Sequence, residues 1–187
     1  MHSSITDIKI KEVECPKDKK FYELSYIEDG KKKSKIVSKS LDVVKILIYH
    51  TDKKAFVLTK QFRPLVYINH PKYAYRYELC GGREDKENLS SKEVAIEEVL
   101  EECGYKVDDL EYITTFTTTA RMNLYYVEVD ESMRVSKGGG VDDENIENFY
   151  LPINNAKEFV LNPKYPNRPA MAFAIWWWFD VKNSLLT

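Results

Sequence analysis

The stretch from Ser90 to Cys103 limits the possible folds of this chain more than any other. Ser90 and Glu93 stand at capping-box spacing, and Gly104 sits where a helix C-cap belongs, so the spacing predicts a helix with both ends marked. At about 100° per residue, Ile96, Val99, Leu100 and Cys103 share one arc, while Glu98, Glu101 and Glu102 share another. The helix must therefore lie with one face on an apolar layer and present carboxylates from the other. Glu98 and Glu102 are four apart and Glu98 and Glu101 three apart, spacings at which like charges cost a few tenths of a kcal/mol per pair. Their place in the C-terminal half adds an unfavourable helix dipole. A hard cation resolves this conflict, because carboxylate oxygens suit Mg²⁺ or Mn²⁺. Helix geometry alone leaves a solvated acidic face as the other reading.

Strand signals surround this helix. Phe21 to Ile27 and Ser34 to Val37 flank the hairpin turn Asp29-Gly30, with Lys31-Lys32-Lys33 read as a solvated tip. Val43 to Tyr49, Ala55 to Phe62 and Tyr75 to Leu79 precede the helix; Tyr112 to Thr118, Asn123 to Val129 and Phe149 to Ile153 follow it. Pro64 and Pro71 bracket a loop, Gly138-Gly139-Gly140 opens an acidic one, and a last helix starts near Asn167 with Pro169 in its first turn. The expected class is α+β, a mixed sheet with helices on its faces.

A chain of 187 residues buries one good core, and its net charge of −2 argues against nucleic-acid or membrane-surface binding. The apolar run Ala170 to Phe179 is too short to cross a bilayer, and the N-terminus has no apolar signal region. Cys15, Cys80 and Cys103 are odd in number and lack metal-ligand spacing, so they read as reduced thiols of a cytoplasmic protein.

Gly82, the helix, and Glu98-Val-Leu-Glu-Glu-Cys-Gly-Tyr105 together resemble the Nudix box. Glu98, Val99, Glu101, Glu102, Gly104 and Tyr105 match its second half in register. Its first half departs from the pattern: it is one residue longer, Leu89 replaces the usual Glu, and Glu97 stands where the family carries an Arg that helps orient the catalytic carboxylates. Lys60-Gln-Phe-Arg-Pro64, Glu78-Leu-Cys-Gly-Gly82 and the loop and strand from Gly138 to Ile153 are similar to the UDP-sugar diphosphatase and ADP-ribose pyrophosphatase branch of the family.

The resemblance implies a Nudix fold, an α/β/α sandwich with a mixed sheet over residues 43–187. A small N-terminal antiparallel sheet over residues 1–42 would serve as a dimerisation element. It further implies a Mg²⁺-dependent hydrolase, with Mn²⁺ an alternative, cutting the pyrophosphate of a nucleotide sugar of the UDP-glucose type. Glu98, Glu101, Glu102 and the Gly81 carbonyl would hold metal. Glu98, Glu101 and Glu144 would be catalytic, with Glu144 the general base and Glu147, Asp142 and Asp143 its rivals. Arg63, Glu78 and Arg121 would form the substrate site, Arg63 by gripping phosphate in a bidentate manner and Glu78 by contacting the nucleotide or by holding Arg63 or Arg76. The other readings are an ADP-ribose pyrophosphatase and a non-catalytic nucleotide-sugar sensor, the latter suggested by Glu97. Partners reduce to a small-molecule substrate and a second copy of the chain.

Overall fold

The computed structural model describes residues 21–141, 144–165 and 168–183. Asp142, Asp143, Cys15 and the expected helix start at Asn167 lie outside them. The chain divides into two compact units, residues 1–40 and 41–187. The described part of the first is a hairpin. Its strands β1 (Phe21–Glu28) and β2 (Lys31–Ser38) pair antiparallel about Asp29 and Gly30, both with positive φ. Lys31, Lys32 and Lys33 belong to the ladder itself, opposite Glu28, Ile27 and Tyr26, because the two-residue turn leaves no tip for them.

In the second unit, β3 (Val43–His50) and β4 (Ala55–Phe62) form a hairpin, followed by a short α1 (Pro64–Asn69) and β5 (Tyr75–Glu78). Next come α2 (Ser91–Glu98), β6 (Glu111–Thr117), β7 (Arg121–Val129), β8 (Glu147–Pro152), α3 (Ile153–Leu161) and α4 (Pro169–Trp177). Sequence patterning missed α1 and α3. The six-stranded sheet runs β5-β4-β3-β7-β6 with β8 also on β4, and only β3 with β7 is parallel.

The period-2 alternation of β3 sorts its side chains into two cores. Val44, Ile46 and Ile48 pack with Val94, Ala95, Val99 and Cys103 of the box helix. Leu47 and Tyr49 pack with Phe159, Met171, Ile175 and Trp178 of α3 and the last helix. Each fully buried side chain of this size contributes about 1.5–3 kcal/mol. The result is the α/β/α sandwich the sequence led us to expect, with a separate two-stranded antiparallel sheet before it.

The register shows where the sheet opens. β8 lies along β4 from Ala55 to Lys60, so β3 and β5 must share the other edge of β4. β3 pairs with β4 only from Ile48 to His50; β5 takes over from Thr59 to Phe62. After β5 the chain crosses the gap and pairs with β3 instead, with Ile46 N–H donating to Cys80 O (2.9 Å) and Val44 N–H to Gly82 O (3.0 Å). Leu79 to Gly82 thus lies in a split between strands, directly under the box helix.

Candidate active site

The box helix begins with both halves of its capping box in place and ends at Gly104 in the left-handed conformation. Between Val99 and Cys103 it widens to a π-type turn. The wider turn advances each residue by less than 100°, which alters the arcs expected from an ideal helix. Leu100 is exposed rather than part of the core. The three carboxylates also separate: Glu102 is buried, Glu98 is half-buried, and Glu101 stands at the rim.

Glu102 accepts a hydrogen bond from Gly81 N–H at 2.8 Å. Glu98 lies against Gly82, where a Cβ would fall 2.2 Å from its Oε1, so a side chain at this position would push the carboxylate out of its place. Burial pushes the Glu98 carboxyl up to about 7; the charges of Glu102, Glu101 and Glu144 add to this, and Lys45 opposes it. Burial likewise raises Glu102, against Lys45 and the Gly81 hydrogen bond. Glu144 is an exposed loop acid whose charge reaches both Glu98 and Glu102. Its loop is anchored on the helix end, with Gly139 and Gly140 N–H donating to Glu102 and Glu101 carbonyls at 3.0 Å each. A side chain at Gly138 (φ +67°) would strike the Glu102 carbonyl at 2.3 Å. Glu147, the rival to Glu144, is ion-paired to Lys60 at 3.1 Å.

Sequence reasoning missed Lys45. Its buried ammonium donates to Gly81 O at 2.5 Å and Leu79 O at 3.3 Å. The available signal was a single lysine within Val43-Val-Lys-Ile-Leu-Ile48, a run otherwise as apolar as a strand buried on both faces.

A cationic group stands just upstream. Glu78, only 1% exposed, is held by Arg63 Nη2 at 2.5 Å and Arg168 Nε at 3.0 Å, with Arg76 Nε at 3.8 Å. Burial alone would raise its carboxyl, yet the Arg63 hydrogen bond and charge, with Lys45 and Arg168, hold it at about 2. Three guanidiniums around one carboxylate leave surplus positive charge, and the buried Nε donors of Arg63 and Arg76 have no hydrogen-bond partner. Arg168, 90 residues from Glu78 in sequence, carried no signal before the fold was known.

Arg121 lies at the start of β7, paired to Asp42 through its backbone N–H (2.8 Å) and Nε (2.9 Å), with an exposed side chain. None of these contacts joins it to the carboxylates. Glu97 is paired with Lys86, whose ammonium also stands 3.8 Å from Glu101. A cavity of about 370 Å³ lined by Tyr77, Phe149, Phe159 and Tyr165 lies against α3 and contains none of these acids. Among the described residues no three His, Cys, Asp or Glu side chains form a closed metal cage. Two carboxylates and a carbonyl nevertheless suit Mg²⁺, which keeps waters and shares substrate phosphates.

A helix carrying these carboxylates over a split mixed sheet defines a Nudix hydrolase, and the comparisons agree. The NUDIX domain profile matches residues 39–171, and the chain belongs to that family. It is 32% identical to the uridine diphosphate glucose pyrophosphatase NUDT14 of Bos taurus, over 84% of this chain and 86% of that one. It is 34% identical to a GDP-mannose pyrophosphatase of Escherichia coli K12, over 62% of each chain. A solved ADP compounds hydrolase superposes with a TM-score of 0.69 over 92% of this chain and 91% of its own, at 13% identity, and so shares the fold.

Proposed function

We propose that this chain hydrolyses the pyrophosphate of nucleoside diphosphate sugars of the UDP-glucose type, giving a nucleoside monophosphate and a sugar 1-phosphate. The observation that carries this reading is the placing of two opposite sites within four residues of one chain segment. Glu78 gathers three arginines with spare donors for an anion, and Gly81 and Gly82 meet two carboxylates suited to a cation. A pyrophosphate with its counter-ion needs both. The relatives named for UDP-glucose and GDP-mannose support the substrate class.

Glu98, Glu102 and the Gly81 carbonyl, with Glu101 at the rim, are the oxygens that would hold Mg²⁺ or Mn²⁺, and the ion would supply Lewis-acid polarisation of the pyrophosphate. Arg63, with Arg76 and Arg168, grips the phosphate oxygens and fixes the phosphorus in line with the attacking water. Glu144 accepts the proton of that water. One phosphorus–oxygen bond of the anhydride breaks and water supplies the new one. Arg121 contacts the substrate from the rim.

Lys86 restores the charge balance that Glu97 upsets. Lys86→Met is expected to lower turnover about tenfold while leaving thermal stability near wild type, and Lys86→Arg to retain most of the rate. A steady-state assay beside a melting curve checks both.

The hairpin exposes apolar side chains on both faces, among them Phe21, Ile27 and Ile36 on one and Tyr22, Leu24 and Val37 on the other. A lone two-stranded sheet is marginal in water. We therefore assign residues 1–42 to a homodimer contact and residues 43–187 to the catalytic domain. Among the described residues no helix is long and apolar enough to cross a membrane. Cys80 and Cys103 are free, buried thiols, consistent with a cytoplasmic setting.

The substrate reading is tested with UDP-glucose, UDP-galactose, GDP-mannose, ADP-glucose and ADP-ribose in parallel, with Mg²⁺, products being resolved by ion exchange. The highest kcat/KM is expected for a UDP-sugar. A clear preference for ADP-ribose would move the assignment to an ADP-ribose pyrophosphatase, and no turnover of any of them would favour a sensor.

A further inference from the structure

We propose that Lys45 is a built-in cation of the carboxylate site, whose ammonium occupies one cation position so that a divalent ion entering there must displace it. The inference rests on the metal reading of Gly81, Glu98 and Glu102 given above.

β3 carries an anomaly, a lysine inside a buried strand. All the other residues from Val44 to His50 are buried too, and Lys45 is the only buried lysine among the described residues. Desolvating an ammonium is costly unless hydrogen bonds and opposite charge replace the lost water. Lys45 finds both in one place. It donates to two backbone carbonyls, Gly81 O at 2.5 Å and Leu79 O at 3.3 Å, and its charge acts on Glu98, Glu102 and Glu78. A flexible stem with a compact charged head is the side chain best able to take an ion's place and then swing away.

The competition follows from geometry. A divalent ion bound to the Gly81 oxygen sits about 2.1 Å from it. With the ammonium already 2.5 Å from the same atom, two cations would stand within a few ångströms of each other in a water-poor split of the sheet. One of them must leave. The buried negative charge of Glu98 and Glu102 is thus partly neutralised before any ion binds, and the site takes divalent ions more weakly, or in smaller number, than its carboxylates alone would allow.

The test is Mn²⁺ binding to the full-length protein without substrate, with free Mn²⁺ read by electron paramagnetic resonance. The comparison is wild type against Lys45→Met, which keeps the stem length and removes the charge. The expected result is either one further Mn²⁺ per chain or at least tenfold tighter binding in Lys45→Met. Equal or weaker binding by the variant overturns the proposal and leaves Lys45 as a brace for the Leu79–Gly81 segment. If neither protein binds Mn²⁺, the metal reading of the site fails with it, a result distinct from equal binding. Should Lys45→Met not fold, the wild type still decides. A buried, hydrogen-bonded ammonium gives a resolved ¹⁵N–¹H₃ signal, and saturating Mg²⁺ must shift or abolish the Lys45 resonance. An unchanged resonance overturns the proposal.

Discussion

Glu98→Gln and Glu102→Gln are each expected to lower pyrophosphate hydrolysis by on the order of 10³-fold, with the protein remaining folded. The size of the effect comes from what amidation removes. Glu98 and Glu102 face the Gly81–Gly82 segment from one helix, and each amide would lose the charge that, in the proposed mechanism, draws a cation and its phosphate to that point. The fold tolerates the change because both carboxyls already resist ionisation in their surroundings. Burial raises each one, most clearly Glu98, at about 7, so a neutral isostere relieves a strained charge. The two variants are therefore expected to melt at or above the wild-type temperature without metal, and Mg²⁺ is expected to stabilise wild type and to do so far less in either variant. A steady-state assay and melting curves with and without Mg²⁺ measure both. A variant retaining a tenth or more of the wild-type rate would remove that carboxylate from the mechanism, and a sensor would show no rate to lose.

Glu78→Ala is expected to destabilise the protein by about 3–5 kcal/mol at pH 7, since it leaves Arg63, Arg76 and Arg168 around an empty position. The wild type carries a matching acid sensitivity. The folded-state value of Glu78 lies at about 2, below the ordinary 4.5. A depressed carboxyl adds stability that is fully present above its unfolded value and is lost as pH falls through the folded one. That window runs from pH 4.5 down to 2, and a depression of this size is worth roughly 3 kcal/mol. Urea denaturation at a series of pH values therefore shows wild-type stability falling across that window. Glu78→Gln, whose side chain does not titrate, begins less stable at pH 7 and follows a flatter course, so the two curves approach each other near pH 2. Parallel curves would mean that the arginines do not hold Glu78 in the way the distances indicate.

The limits of the box helix were legible because caps are local: Ser90 and Glu93 satisfy each other's orphan groups three residues apart, and Gly104 takes the left-handed cap. The strands were legible for the same reason, since the β-branched and aromatic runs of β3 and β4 are a property of adjacent residues. The acidic character of Glu98, Glu101 and Glu102 and their match to a family pattern could likewise be read in one dimension.

Their separate environments could not. A uniform 100° wheel groups the three, but the π-type turn at Val99–Cys103 buries Glu102, leaves Glu101 at the rim and turns Leu100 outward. α3 escaped notice because it follows β8 without a break and its N-cap is Pro152, with no side-chain capping bond to announce it. Glu97, read in isolation as a lost arginine, acquires a cation from Lys86, 11 residues earlier.

What the sequence by itself determined was the strands, the capped box helix and the chemistry of one face of that helix, since these follow from contacts within a few residues. Only the tertiary structure decided where charge is balanced. It brought Arg168 and Arg63 to Glu78, and carried the Lys45 ammonium from β3 to the Gly81 carbonyl. Electrostatic partners are chosen by distance in space and by how much water is excluded between them, and neither quantity is written in the spacing of residues along the chain.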